Sequence, residues 1–287
     1  MSTREEIAAC AQLACLLEAS APKPGNVSPG VAFHDTRYEH FLASAAAIAP
    51  AFLDAGTQPV GDTILRAIEA TRHWTSANTN LGIVLLLAPL ARAAHLPEPE
   101  SLRDRLRSVL ASTTIADADA VYRAIRLARP GGLGDASSQD IATSPTVTLT
   151  AAMMLAAERD DVAREYATGF ARTFIVGAPT LAQARADGLE WSDAVVECYL
   201  ALLADSPDTL IIRKLGPDAA GQVMSRAREV RAAGGVRTDA GRRAIAAFDL
   251  ELRNAENSMN PGTSADITAA AVFVVLLSRG RHGRLER

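Results

Sequence analysis

Apolar residues recur three and four positions apart through segment after segment of this chain, and no stretch keeps a two-residue alternation between turn signals. The pattern predicts an all-α fold, with helices over residues 3–20, 37–54, 61–74, 79–95, 99–128, 138–158, 160–176, 190–204, 217–233, 239–255 and 264–279. Ser2 or Thr3, followed three residues later by Glu5 or Glu6, has the spacing of a capping box, in which two side chains satisfy free backbone donors of the first turn. Ser137 and Asp140 repeat that spacing after "GGLGDASSQD", where Pro130, Gly131, Gly132 and Gly134 interrupt any preceding helix. No linker separates two differently composed halves, and the turns follow no fixed period. One globular multi-helix domain over residues 1–287 is expected, its active site built from inter-helix loops.

Composition narrows the partners more than the fold. The 287 residues are 48% hydrophobic and 22% charged, enough for a packed core, and the formal net charge of -4 supplies no global field to gather nucleic acid or an anionic membrane. A phosphate-bearing ligand therefore needs local cations. The longest apolar runs, 81–90 and 269–277, fall short of the roughly 18–20 residues that cross a bilayer, so they read as buried helices. Cys10, Cys15 and Cys198 have neither a metal-ligand spacing nor an even disulfide framework, and the amino terminus lacks a basic leader. A cytoplasmic protein is expected. Segments such as "SLRDRLRSVL" read as solvated helix faces, and apolar helices beyond those a core needs offer a homodimer face.

The candidate chemistry sits in the polar turns. "PKPGNVSPG" holds three prolines and two glycines around Lys23 and Asn26, a stiff frame that lets a backbone approach a ligand and presents one ammonium to phosphate. It reads equally as a helix-ending loop with a solvated lysine. In "FHDTRYEHF", Asp35 suits a hard cation such as Mg²⁺ or a helix cap, while His34 and His40 alone make no metal site. Asn78, Thr79 and Asn80 open an apolar helix bearing Gly82 in its first turn, where free amides favour an anion, although the spacing is not that of a Walker A loop. "SPDTLIIRKLGPD" brings Asp208 close to Arg213 and Lys214, a set suited to a polyphosphate or to a charged helix end. Asp135 and Asp140 are further acidic candidates. In "SMNPGTSADITAAAVF", Asn260, Pro261 and Gly262 set a turn, and Thr263 with Asp266 has capping-box spacing. That carboxylate is thus either a cap or a Mg²⁺ ligand.

Taken together and in order, "EASAPKPGNVSPG", "NTNLGI", "GGLGDASSQDI", "DTLIIRKLG" and "NPGTSADITAAAVF" resemble the signature blocks of the triphosphoribosyl-dephospho-CoA synthase family, over residues 18–275. The resemblance implies an all-helical transferase. Mg-ATP would serve as triphosphoribosyl donor, and adenine would be displaced at ribose C1' by a hydroxyl acceptor such as 3'-dephospho-CoA. It also implies roles: Asp208, Asp266 and Glu18 as catalytic carboxylates; Lys23, Asn26, Asn78, Asn80, Arg213, Lys214, Asn260 and Ser264 on the nucleotide; Asp35, Asp140, Asp208 and Asp266 on Mg²⁺. Where the citrate-lyase branch has Gly-Leu-Val-Asp and Asn-Thr-His-Lys-Gly, this chain has Asn26 to Ser28 and Asn80 to Leu81. That departure points towards the branch with "KPGNV" and "GGLG", associated with tetrahydromethanopterin-type cofactor synthesis and another acceptor. An N-ribosyl hydrolase and a non-catalytic nucleotide-binding protein are the rival readings. All of them require distant loops to meet in one cleft.

Overall fold

Thr3 accepts from the Glu6 amide while Glu6 reaches back to the Thr3 amide, so the expected capping box starts α1 (Arg4–Ser20). A computed structural model of the chain describes residues 2–131 and 138–279 and contains no strand among them, only an isolated bridge between Ser28 and Val31. Gly132, Gly134, Asp135 and Ser137 lie outside the described residues. The helices that follow are α2 (Tyr38–Ala47), α3 (Ala49–Leu53), α4 (Val60–Trp74), α5 (Leu81–Ala94), α6 (Leu102–Ala111), α7 (Ile115–Ala128) and α8 (Leu149–Ala156). After them come α9 (Asp161–Thr168), α10 (Ala178–Ala186), α11 (Trp191–Asp205), α12 (Thr209–Leu215), α13 (Pro217–Ala232), α14 (Asp239–Glu251) and α15 (Gly262–Arg279).

Several expected helices are divided, and each division has a local cause. The segment 99–128 breaks because Thr114 caps α7 in a reciprocal box with Asp117. Pro50 opens the short α3, separating it from α2. The helix expected from 138 starts only at Leu149, where Thr148 accepts from the Ala151 amide; the preceding stretch carries Pro145 and irregular turns. Gly169 and Phe170, both with positive φ, end α9 and give way to a single π-helical turn at Thr173–Gly177.

Glu165 holds that turn, since its buried carboxylate accepts from the amides of Arg172 and Thr173 and from the Thr173 hydroxyl. Such a carboxylate stays satisfied inside a core.

One continuous hydrophobic core runs from Ile7 to Leu276. Helix α15 lies at its centre, packed on α1, α5, α10 and α11, with Ile267, Ala269, Ala270, Ala271, Val272 and Phe273 free of solvent exposure. Helix α5 is buried along nearly all its length, which explains its unbroken apolar run. Among the described residues, no helix is long and apolar enough to cross a membrane. Burial raises the thiol of Cys10 to about 11 and that of Cys198 to about 12, so neither is a thiolate at neutral pH. The same ends of α1, α5, α12 and α15 whose flanking turns carry the candidate motifs border a cavity of about 600 Å³.

Candidate active site

The turn after α1 is built around a buried ion pair. Lys23 Nζ lies 2.9 Å from Glu18 Oε1 and also donates to the carbonyls of Glu18 and Ala21. Three ammonium donors have three protein partners, and Lys23 is 1% exposed, so none faces the cavity. The expected phosphate ligand is instead the post that holds Glu18 on the cavity wall. Gly25, at φ +72°, passes so close to Leu252 that a Cβ would lie 2.9 Å from its Cδ1. No larger residue fits that crossing. Asn260 ties this turn to the start of α15, donating to Gly25 O at 2.8 Å and to Asn26 Oδ1 at 3.1 Å. Asn26 in turn donates to Pro24 O and Tyr199 Oη. Both asparagines line the cavity, their amides engaged in locking the wall.

The two candidate aspartates of the carboxy-terminal half differ sharply. Asp208 caps α12 with Oδ1, accepting from the amides of Leu210 and Ile211, while Oδ2 accepts from the Ser264 amide at 2.7 Å and its hydroxyl at 2.8 Å. It is fully buried and does not reach the cavity wall, and neither does Ser264. Burial raises the Asp208 carboxyl above the ordinary aspartate range, against the pull of these donors. The pair is a tie between α12 and α15.

Asp266 lies in the second turn of α15, beyond reach of the capping role its spacing suggests, and the Thr263 hydroxyl pairs with Thr209 instead. Its carboxylate receives no hydrogen bond from the described residues and faces the cavity across the first turn of α5. Gly82 makes that position possible: a Cβ there would meet Asp266 Oδ2 at 2.0 Å. Burial foremost, then the charges of Glu18, Asp208 and Asp160, push the Asp266 carboxyl well above the usual range, with Arg213 opposing.

The cations line the same cavity. Arg213 pairs with Asp160, the N-cap of α9, and Lys214 donates to Asn257 O at 3.2 Å; all four residues border the cavity. Burial lowers the Lys214 ammonium, while Asp208 and Asp35 hold it up. Asn78 accepts from the Leu81 amide at the start of α5, and Asn80 donates to Thr71 Oγ1 at 3.0 Å. Asp35 is exposed, with Thr36 donating to it, and Asp140 accepts from the Ala142 amide at 2.8 Å. These residues line the cavity too.

Of the residues expected at the site, Glu18, Asn26, Asp35, Asn78, Asn80, Asp140, Arg213, Lys214, Asn260 and Asp266 meet there, and Lys23, Asp208 and Ser264 stand behind the wall. Asp160, Glu256 and Asn257 join them without having been singled out, because "RDD" before a periodic segment signals only a helix cap. Among the described residues no three His, Cys, Asp or Glu side chains form a ready-made metal cage. The Asp266 carboxylate, with no donor among the described residues and an excess of negative neighbours, has the oxygen chemistry that a hard cation takes.

Fold and site thus define an all-helical protein whose inter-helix loops enclose a cavity lined by carboxylates and cations. The sequence matches the family described as ATP:dephospho-CoA triphosphoribosyl transferase over residues 4–284, and the chain belongs to that family. A protein of Pseudomonas syringae pv. syringae that carries the name "Probable 2-(5''-triphosphoribosyl)-3'-dephosphocoenzyme-A synthase" is 27% identical over 95% of this chain and 91% of its own length. Its counterpart in Azotobacter vinelandii is 35% identical over a segment spanning 39% of this chain and 38% of that protein. A crystal structure from Archaeoglobus fulgidus, also named as a triphosphoribosyl-dephospho-CoA synthase, superposes with a TM-score of 0.64 at 31% identity, covering 82% of this chain and 97% of that one.

Proposed function

We propose that the chain is a transferase that uses Mg-ATP as triphosphoribosyl donor and displaces adenine with the hydroxyl of an acceptor of the 3'-dephospho-CoA type. The observation that carries the reading is the Asp266 carboxylate, which has no hydrogen bond from the described residues and lines the same cavity as Arg213, Lys214, Asn78 and Asn80. A cavity of about 600 Å³ lies within the range of ligand sites, roughly 300–1,000 Å³. Family membership and the names of the relatives support the same substrates.

In this mechanism Arg213 and Lys214 grip the triphosphate, the first through its planar fork and the second as a point charge. Asn78 and Asn80, at the start of α5, orient ribose and phosphate oxygens. Asp266 would be the leading protein ligand of Mg²⁺, which would supply charge neutralisation of phosphate oxygens there; Asp35 and Asp140 line the same cavity. The acceptor oxygen forms a bond to C1' as the C1'–N9 bond breaks and its electron pair leaves with the base. Asp266 or Glu18 takes the hydroxyl proton, and a proton reaches the departing base so that adenine leaves neutral. Either carboxylate also stabilises positive charge developing on the ribose.

Incubation with Mg-ATP, with and without 3'-dephospho-CoA, followed by mass spectrometry of the products, tests the reading. Free adenine and a triphosphoribosylated acceptor are expected only when both substrates are present. Adenine released into water without any acceptor identifies a hydrolase instead, and ADP or AMP as the nucleotide product contradicts the bond proposed to break.

A further inference from the structure

The cavity has a second region, formed by α7, α8 and the turn between α8 and α9, to which the donor chemistry above gives no work. Its wall is apolar where Ile125 and Met153 approach, and Leu155 lines it while 58% exposed. Two guanidinium groups border the same wall. Arg129 ends α7 in the left-handed conformation at φ 51°, and Arg159 lies in the turn before Asp160. Neither has an ion-pair or hydrogen-bond partner for its side chain among the described residues, unlike Arg213, which Asp160 engages. The Tyr122 hydroxyl, donating to Gln139 O at 2.7 Å, lies in the field of Asp140 and Arg159 together, which brings these side chains of the cavity lining near one another.

Guanidinium groups with no partner among the described residues, beside an exposed apolar shelf, suit one kind of molecule: an anion joined to a flexible, weakly polar arm. We infer that this region is the acceptor subsite, in which Arg159 and Arg129 hold the diphosphate of a pantetheine-bearing nucleotide while Ile125, Met153 and Leu155 carry its arm. The inference rests on the two-substrate reading above and divides the cavity between donor and acceptor. Arg213 and Lys214 serve the triphosphate, and Arg159 with Arg129 serves the diphosphate. Arg159 adjoins Asp160 in the chain, so the two phosphate grips meet at the Asp160–Arg213 pair.

Calorimetric titration of the full chain with 3'-dephospho-CoA, and separately with Mg-ADP, tests it without needing turnover. Arg159→Ala is expected to weaken 3'-dephospho-CoA about tenfold or more, the loss of one charge-assisted contact, while Mg-ADP binding stays within about twofold. Leu155→Asp is expected to weaken 3'-dephospho-CoA as well, and 4'-phosphopantetheine is expected to compete for the same region. Equal loss of both ligands in Arg159→Ala, an unchanged 3'-dephospho-CoA affinity in both variants, or no 3'-dephospho-CoA binding by the wild type overturns the assignment. Binding of 3'-dephospho-CoA that depends on Arg159 with no adenine released from ATP supports the subsite and defeats the proposed reaction, so the two failures are separable.

Discussion

Asp208 and Asp266 show how far a carboxylate's work depends on donors that its own segment does not reveal. Both stand in the quoted blocks as candidate acids, yet Ser264, 56 residues from Asp208, supplies the two hydrogen bonds that turn Asp208 into a tie between helices. Lys23 is similar: the motif around it is legible, but that its ammonium faces inward follows only from Glu18 and two carbonyls closing round it. Asp266 has no such donor among the described residues, and the consequence is measurable. Its folded carboxyl titrates well above an ordinary aspartate, so as pH rises through the ordinary range, near 3.9, the unfolded chain loses its proton first. Wild-type stability relative to an Asn variant therefore falls with rising pH until the folded carboxyl also ionises. Asp266→Asn should melt several degrees above wild type at neutral pH, the difference vanishing below the ordinary aspartate value, while adenine release falls by about 100-fold or more. Melting curves across pH together with the adenine assay check both halves. A variant that melts lower at every pH and remains active contradicts the placement of this residue.

Among the elements, α5 is where sequence and packing disagree most usefully. Its apolar run and asparagine-bearing start are plain in the sequence, and the helix forms where they indicate, over Leu81–Ala94. The breaks at Thr114 and Thr148 were harder to read, because a polar N-cap inside a long periodic stretch resembles an exposed position until the partner helices fix its direction. Gly82 carries a similar ambiguity. On helix propensity alone, Gly82→Ala should stabilise α5 by about 1 kcal/mol. The carboxylate of Asp266 occupies the place of the missing methyl, with Oδ2 only 2.0 Å from it, so α5 and α15 have to separate or Asp266 has to turn away. Gly82→Ala is therefore expected to lower stability by about 1–3 kcal/mol and to reduce adenine release at least tenfold. The double variant Gly82→Ala with Asp266→Ala should regain most of the stability, because the clash is between those two groups. Denaturant unfolding of the four members of the cycle measures the coupling. Additive losses would show that Gly82 matters for some reason other than Asp266.

At the scale of the whole molecule, five turns separated by as many as 240 residues border one cavity, and the ordered motifs made that convergence expected without giving its walls. What remained hidden was the division of labour. The ties that build the wall, Asn260 to Gly25 and Asp249 to the Gly25 amide, join opposite ends of the chain and leave no mark in local periodicity. Arg253 reinforces the same crossing by donating to Asn26 O at 3.0 Å and to Asp249. A ligand that bridges the lining loops should consequently act on the fold as a clamp. The lining carboxylates Glu18, Asp160 and Asp266 repel a bare triphosphate, so nucleotide alone and divalent cation alone should each stabilise little. Mg-ATP at about 100 times its Kd should stabilise the native state by about 2.7 kcal/mol, and chelating the metal should abolish most of that gain. Thermal melts with ATP, with Mg²⁺, with both, and with both plus EDTA check the non-additivity. Stabilisation by ATP that EDTA does not reverse would mean that the triphosphate is held by Arg213 and Lys214 without a cation, leaving Asp266 free to act solely on the acceptor hydroxyl.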